Sequence, residues 1–265
     1  MLLHWDDGPE QLAIGTVRIG ARRRRLAPGA QTPRAAAPGT EAMALVLAGS
    51  GQSSHDGTAA AIRAGDVLLH PPGAASVLRA GDDGLDVLLL GPRTEAADGD
   101  PGAPPPTIAA IADVPGAERD RGEFGATIRN VGVALGSQST GMRHAAIAPG
   151  RLNAPPHCHS AEEELFVVLD GDGALLLYDL DGAATEEHAV RAGHVVARPA
   201  GTGIAHAFRA GDGGLTVLSY GERKGEDVGF YPRSQKLAIR GFGGSGVLGG
   251  VVFRVQRADY WDGEA

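Results

Sequence analysis

The sequence predicts an all-β protein built from two tandem jelly-roll barrels. Short apolar runs of strand length alternate with turns rich in glycine and aspartate, and such turns between apolar runs are typical of hairpins. No long stretch shows the helical period of apolar residues. The chain also repeats itself at a distance of about one domain, which predicts two similar barrels rather than one large one.

The repeat defines the domain organisation. Residues 63–91 align with residues 191–221 across one two-residue gap, and 16 of the 29 aligned positions are identical. Both segments begin with Arg-Ala-Gly, and both carry a second Arg-Ala-Gly-Asp before their last apolar run. We therefore predict an N-terminal barrel at residues 1–91, a proline- and glycine-rich linker at residues 92–122, and a C-terminal barrel at residues 123–265.

Composition narrows the class of partner. The net charge of -8 over 265 residues disfavours nucleic acid. No apolar run approaches the ~18 residues that a membrane span needs, and the first residues do not resemble a secretory signal. We therefore expect a cytoplasmic protein without a membrane partner. The basic run from Arg22 to Arg25 is isolated and predicts an exposed strand or turn. The single cysteine, Cys158, excludes an intrachain disulfide and is expected in the core.

A His-x-His pair followed by three glutamates is the most distinctive motif. His157 and His159 are two residues apart, so on a strand both imidazoles point to the same face. The carboxylate of Glu164 can close on the same point, and imidazole with carboxylate suits Fe, Mn, Ni, Cu or Zn. From these residues alone, the alternative is a solvated cluster of histidine and glutamate on a loop.

A second motif downstream makes the chain resemble the cupin superfamily. The family's first motif is a glycine, the His-x-His pair, a glutamate and a glycine, and its second is a glycine, Pro-x-Gly and a histidine. Here they read Gly150, His157, His159, Glu164 and Gly171, then Gly193, Pro199, Gly201 and His206. The gap before His157 is one residue longer than usual, and the asparagine that often follows the last histidine is absent.

The resemblance implies one divalent metal ion, Fe, Mn, Ni or Zn, in the second barrel. Its ligands would be His157, His159, Glu164 and His206. The spacing to Gly171 favours Glu164 over Glu163 as the ligand, and leaves Glu162 and Glu163 as partners of the ligands or as exposed acids. Tyr220 and Arg198 lie near the second motif in the sequence and are candidates for lining the pocket, without being the favoured ones. The resemblance covers both halves of the chain and implies a bicupin, for which a homodimer is a further expectation.

The N-terminal half lacks the ligands. Counting back from Gly49, the positions equivalent to the four ligands are Ala35, Ala37, Ala42 and Ser76. We predict a degenerate barrel without a metal site, in which His55 and His70 are ordinary surface or partly buried histidines.

The C-terminal extension carries two further resemblances. The stretch Tyr231-Pro232-Arg233-Ser234-x-Lys236 and the tail Asp259 to Glu264 resemble segments of a group of uncharacterised bacterial cupins, from which no activity carries over. We expect the first stretch to be a strand that crosses to the other barrel, with a lid or an anion contact as the alternative.

Two classes of function follow. The first is a metal-dependent enzyme on a small polar metabolite, in which dioxygenation, isomerisation, decarboxylation and hydrolysis all stay open because no further acid or base is placed. The alternative is a non-catalytic module that binds a sugar or an organic acid. A purely structural, storage-like bicupin is a third reading, and the intact ligand set argues against it.

Overall fold

The protein consists of two jelly-roll barrels and a small additional sheet, which confirms the predicted fold class. The computed structural model describes residues 1–5, 13–93, 100, 102–240 and 250–264, with side chains for all of these except 13, 14 and 250. The first nine strands are β1 (Leu2–His4), β2 (Ala13–Gly15), β3 (Ile19–Leu26), β4 (Gln31–Ala35), β5 (Ala42–His55), β6 (Thr58–Arg63), β7 (Asp66–His70), β8 (Ala75–Pro92) and β9 (Thr107–Ala110).

Eleven further strands follow. They are β10 (Gly116–Arg121), β11 (Phe124–Arg129), β12 (Thr140–Ile147), β13 (Cys158–His159), β14 (Glu164–Tyr178), β15 (Ala184–Arg191), β16 (His194–Arg198), β17 (Ala205–Glu222), β18 (Val228–Tyr231), β19 (Lys236–Arg240) and β20 (Gly250–Arg254). The helical segments of the described chain are one short α-helix, α1 (Val131–Ala134), and the 3₁₀ turns Ile111–Asp113 and Pro232–Ser234. None of these is long or apolar enough to cross a bilayer.

Antiparallel pairing arranges the strands in three sheets. The first barrel has the order β2-β3-β8-β5-β7-β9, with β4 added on β8 and β6 on β5. The second has the order β1-β16-β14-β17-β12-β11-β10, with β15 added on β14. The third sheet has the order β13-β18-β19-β20 and so joins the His-x-His strand to the C-terminal extension.

Strand pairing bears on the predicted domain bounds. β1 pairs with β16 and therefore lies in the second barrel's sheet, although its residues fall within the predicted N-terminal domain. Of the predicted linker, residues 94–99 and 101 lie outside the described residues, β9 pairs with β7, and β10 pairs with β11. The bounds at residues 91, 122 and 265 stay a prediction.

Backbone geometry explains why the repeat keeps a glycine at the same place in both barrels. Gly49 in β5 and Gly171 in β14 both have a φ of +77°, and both strands shift register beside them. A Cβ at either glycine would lie 2.2 Å from the facing carbonyl oxygen of Gly84 or Gly214. Glycine is therefore required at the point where each long strand bends to close its barrel.

The core of the described residues has three main parts, besides a smaller apolar cluster around Cys158 and Tyr178. One apolar cluster fills each barrel, represented by Val46 and Leu68 in the first and by Val168 and Phe208 in the second. The third lies between the barrels and joins the outward-facing residues of their central strands, namely Met43, Leu45, Leu88, Leu90, Leu165, Val167, Leu218 and Tyr220 among others. Both faces of β5 and β14 are thus buried, which explains their nearly continuous apolar sequence.

A buried glutamate of the second barrel reaches into the first. The Glu163 carboxylate is 1% exposed and accepts hydrogen bonds from the backbone N–H groups of Val17, Arg18 and Ile19 at 3.2, 2.8 and 3.3 Å. It also accepts one from the Thr16 hydroxyl. Glu163 is therefore neither exposed nor a partner of a candidate metal ligand: it ties the barrels together immediately before Glu164.

The first barrel returns the same contact. The buried carboxylate of Glu41 accepts from the backbone N–H groups of Gln138, Ser139 and Thr140 at 2.7, 3.1 and 3.0 Å, and from the Ser137 hydroxyl at 2.7 Å. Glu41 precedes Ala42 as Glu163 precedes Glu164, so the two contacts are related by the internal repeat. We call this pair of contacts the reciprocal glutamate clamp. It fixes how one barrel sits on the other.

Candidate metal centre

Backbone pairing brings the first and last histidines of the motif face to face. The N–H of His157 donates to the carbonyl of His206 at 3.3 Å, and the N–H of His206 donates back at 3.0 Å. The two prolines before His157 favour extended backbone, which suits this isolated bridge. The two imidazole centroids are 5.3 Å apart.

Glu164 opens β14 beside this pair and lies opposite Gly221 of β17. A Cβ at Gly221 would lie 3.3 Å from Cγ of Glu164 and 2.9 Å from the Glu163 carbonyl oxygen. The glycine therefore leaves the space through which the Glu164 side chain enters the barrel.

The donor atoms converge on one oxygen. Oε2 of Glu164 lies 3.4 Å from Nε2 of His206 and 3.6 Å from Nε2 of His159. Ligand atoms of His157, Glu164 and His206 all lie within 4.8 Å of one another. Metal–ligand bonds of about 2.0–2.2 Å place neighbouring donors roughly 3–3.5 Å apart, so this spacing suits a metal ion.

Hydrogen bonding fixes the tautomer of two imidazoles. Nδ1–H of His157 donates to the carbonyl of Pro155 at 2.9 Å, since a carbonyl can only accept. Nδ1–H of His159 donates to Oδ2 of Asp227 at 2.7 Å. Both rings therefore keep the lone pair of Nε2 for a ligand bond, the usual arrangement of metal-bound histidine.

The protonation states favour a cation. Burial lowers the pKa of His157 to about 4, with a further contribution from His206, and burial also lowers the pKa of His206. Burial alone would raise the pKa of Glu164, but His159 and His206 hold it well below its usual range. Neutral His157 and His206 beside an ionised carboxylate suit a metal ion. His159 differs, because burial opposes its charge but Glu164 and Asp227 raise its pKa, so its proton must leave when it ligates a metal.

Two buried polar atoms without hydrogen-bond partners indicate that a metal ion fits these residues. Oε2 of Glu164 and Nε2 of His206 are buried and have no hydrogen-bond partner. Buried acceptors without partners are costly, and a divalent cation between them would satisfy both.

A second acidic group lies next to the first. His159, Glu162 and Asp227 also offer ligand atoms within 4.8 Å of one another. Their carboxylates are already engaged, however: Glu162 receives Nε and Nη2 of Arg240 at 2.8 and 2.9 Å, and Asp227 receives the N–H groups of Ala161 and Glu162 itself. An ion there would have to displace these donors, so the group around Glu164 is the better site.

Asp227 orients His159. Burial opposes its charge, yet the hydrogen bond from His159 lowers the pKa of Asp227 to about 2, so it stays a carboxylate. We expect Asp227→Asn to lower metal affinity by about 10- to 100-fold, because the amide no longer fixes the tautomer of His159. Competition with a metal-sensitive dye measures this affinity. An affinity equal to that of the unmodified protein would remove Asp227 from the site.

The site opens into a cavity of about 240 Å³ under the third sheet. Its walls are formed by Arg143, His157, His159, Glu164, Arg223, Asp227, Gly229, Tyr231, Ala238, Ile239, Arg240 and Val252. The Tyr231 ring stacks on His157 at 5.3 Å between centroids. The extension thus covers the mouth of its own barrel, and the expectation that it crosses to the other barrel is wrong.

Several other expectations meet the structure here. Cys158 is buried in an apolar cluster, as expected, and burial raises the pKa of its thiol. Arg198 lies beside Glu164 in the adjoining pocket. Tyr220 is buried between the barrels and does not line the cavity, because it alternates with Glu164's neighbour Gly221 on β17. The sequence does not predict that Asp227 and the arginines of the cavity wall lie at this site, because no spacing rule connects these residues to the His-x-His motif.

The equivalent place in the first barrel is filled by an arginine. The register pairs Arg34 with Ser76 as His157 pairs with His206, so Arg34 rather than Ala35 is equivalent to His157. The turn before β5 is one residue longer than its counterpart, which accounts for the shift. The buried guanidinium donates to the carbonyl of Leu90 at 2.7 Å and lies beside Ala42 and Gly91. A fixed cation therefore stands where the second barrel has its acidic ligand.

His70 and Ser76 complete this filled interior. His70 is fully buried, its Nε2 is 2.8 Å from the Ser76 hydroxyl, and burial lowers its pKa to about 3. Within the described residues, the groups able to hold a metal all lie in the second barrel.

The second barrel contains the part of the chain that matches a known family model. Residues 143–219 match the family model described as the cupin domain. The matched region runs from β12 to β17 and includes the His-x-His pair, Glu164 and His206. No curated protein matches the chain in sequence.

Solved structures of oxalate decarboxylases share the two-barrel fold. A variant from Bacillus subtilis is 15% identical with a TM-score of 0.63, and the match covers 83% of this chain and 76% of that one. The formate complex from Lactobacillus farciminis is 16% identical with a TM-score of 0.65, covering 84% and 86%. A further Bacillus subtilis structure, described as having Mn(II) centres, is 13% identical with a TM-score of 0.60, covering 83% and 76%. At this identity the likeness shows the fold alone.

Proposed function

We propose that the second cupin barrel binds one divalent metal ion through His157, His159, Glu164 and His206 and uses it as an enzyme on a small polar metabolite. The observation that carries the proposal is the buried pair of Glu164 Oε2 and His206 Nε2, which have no hydrogen-bond partner and share their surroundings with two more imidazoles. The Mn(II) centres described for a structurally similar oxalate decarboxylase support a metal of this kind.

The chain's residues would divide the work. Three imidazoles and one carboxylate leave open positions on an octahedral ion, which supplies Lewis-acid or redox chemistry when bound. Asp227 holds His159 in the ligating tautomer, and Tyr231 packs on His157. The 240 Å³ cavity lies below the roughly 300–1,000 Å³ of ordinary ligand pockets, which favours a metabolite of a few carbons. The reaction among dioxygenation, isomerisation, decarboxylation and hydrolysis stays open.

The first barrel then has a structural role in the proposal. Arg34 fills the position of the missing ligand, and the reciprocal glutamate clamp holds the first barrel against the metal-binding one. The proposed division is a structural barrel up to residue 91 and a metal-binding barrel from residue 123. A homodimer and a cytoplasmic location belong to the same proposal.

Metal analysis tests the site. Protein purified without chelators should contain close to one metal ion per chain, and His157→Ala combined with His206→Ala should contain none, because both lost imidazoles face Glu164. Elemental analysis by mass spectrometry measures the content, and circular dichroism checks that the barrels remain folded. His188→Ala is the matched control, since His188 is partly exposed and pairs with Glu186 away from the candidate metal centre. Unchanged metal content in the double variant would refute the ligand assignment.

The alternative is a non-catalytic module that binds a sugar or an organic acid in the same cavity. A metal-loaded sample that binds a small organic acid tightly but converts none of a broad panel would favour this alternative over the enzyme.

A further inference from the structure

The cavity beside the candidate metal centre is lined by three arginines. Arg143 comes from β12, Arg223 follows β17, and Arg240 ends β19, so three separate parts of the chain place a cation on one 240 Å³ space. Three guanidinium groups around so small a volume repel one another unless anions balance them.

Two of the three arginines already pair with a carboxylate, which they share. Nε and Nη2 of Arg240 lie 2.8 and 2.9 Å from the two oxygens of Glu162, and Nη1 of Arg223 lies 3.4 Å from Oε2 of the same carboxylate. Glu162 is 1% exposed, so this network is built into the barrel. Arg223 also packs flat on Gly141, where a Cβ would strike its guanidinium.

Arg143 differs from both. Its Nε donates to the neutral Oδ1 of Asn130 at 3.1 Å, and within the described part of the chain no carboxylate lies at ion-pair distance from its guanidinium. Its two terminal nitrogens therefore keep the fork that binds a carboxylate or a phosphate group.

When the metal is bound, the positive charges at the site exceed the negative charges by two. A divalent ion and three arginines give five positive charges, and Glu164, Asp227 and Glu162 supply three negative ones, with the ligating histidines neutral. Two positive charges therefore remain uncompensated around a cavity that is partly open to solvent and at which Arg143 is exposed.

We propose that the cavity takes a small dianion, one end at the metal and the other on Arg143. The inference rests on the proposed function, because the metal supplies the charge at one end. Arg143 is then a specificity-determining residue that favours substrates with two anionic groups over monoanions. The shared chemistry is that of a short dicarboxylate or a phosphate.

Calorimetric titration of the Mn²⁺-loaded full-length protein tests the proposal with malonate, inorganic phosphate and acetate. We expect malonate or phosphate to bind at least about tenfold more tightly than acetate, and whichever binds more tightly identifies the anionic group. Arg143→Gln should weaken dianion binding by about 10- to 100-fold while acetate binding stays unchanged. Arg143→Lys keeps the positive charge but lacks the guanidinium fork, so its affinity for the dianion should lie between those of the unmodified protein and Arg143→Gln. Arg191→Gln, on an exposed arginine outside the cavity, is the matched control and should bind as the unmodified protein does.

The metal content, measured on every sample, separates the two proposals. Equal affinity for malonate and acetate in loaded protein, or unchanged dianion binding by Arg143→Gln, overturns the dianion inference and leaves the metal site standing. Protein that takes up none of Mn²⁺, Fe²⁺, Ni²⁺ and Zn²⁺ overturns the proposed function. Arg143-dependent malonate binding by metal-free protein would still support the arginine contact.

Discussion

Glu164→Gln should abolish metal binding while leaving the two barrels folded. Glu164 is the carboxylate on which the Nε2 atoms of His159 and His206 converge, at 3.6 and 3.4 Å. The amide has nearly the same shape but carries no charge, so the ion loses its one anionic ligand. We expect the loss of affinity to exceed the ~10–100-fold that follows removal of an orienting residue.

Stability separates ligand loss from misfolding. Burial opposes the charge of Glu164, but His159 and His206 hold its pKa well below the usual range, so the ionised carboxylate stabilises the metal-free fold and metal-free Glu164→Gln should unfold at a somewhat lower temperature than the metal-free parent. Added Mn²⁺ should raise the melting temperature of the parent and leave that of the variant unchanged, since a ligand stabilises only a folded state that binds it. Glu186→Gln, an exposed glutamate of β15, is the control and should respond to Mn²⁺ like the parent. Stabilisation of Glu164→Gln by Mn²⁺ would contradict the assignment.

Removing one half of the reciprocal glutamate clamp should cause the second large effect, a loss of stability. Glu163→Ala leaves three backbone N–H groups of residues 17–19 and the Thr16 hydroxyl without their acceptor at a buried interface. Buried donors that lose a charged partner cost about 3 kcal/mol in the free energy of unfolding. Chemical denaturation monitored by tryptophan fluorescence and circular dichroism measures the change.

Glu41→Ala is the matched control, because Glu41 occupies the equivalent position in the other half of the internal repeat. It removes the equivalent contacts to residues 137–140 and should cost a similar free energy. Only Glu163→Ala should also weaken metal binding, by about tenfold, because Glu163 holds the backbone that leads into Glu164, whereas Glu41 leads into Ala42. An equal loss of metal affinity in both variants would show that the clamp acts through overall stability alone.

The sequence was sufficient to predict the fold because the fold depends on local signals. Glycine and aspartate turns end short apolar runs, and Gly49 and Gly171 recur where the long strands must bend with a positive φ. The candidate ligands also follow local rules, since a period of two places His157 and His159 on one face. His206 could be predicted because it follows Pro199 and Gly201 in the second motif, although the gap after Gly201 is longer than in the commonest form of that motif.

Other residues of the candidate site could not be predicted from the sequence, because contacts between distant segments bring them there. Asp227 reaches His159 across 68 residues, and Arg143, Arg223 and Arg240 meet only because β12, β17 and β19 surround one cavity. The predicted roles of Glu162 and Glu163 stayed open for the same reason: adjacent glutamates on a strand point opposite ways, and only the packing decides what each side meets.

By itself, the sequence determined that the protein has two similar β-barrels, that the first lacks the ligand types of the second, and which four side chains the metal proposal rests on. The tertiary structure alone decided that Arg34 occupies the first barrel's empty position, that Glu41 and Glu163 join the barrels, and that three arginines face the candidate centre. The physical reason is range: turn chemistry and strand alternation act over a few residues, whereas charge pairing and cavity shape are set by segments that only folding brings together.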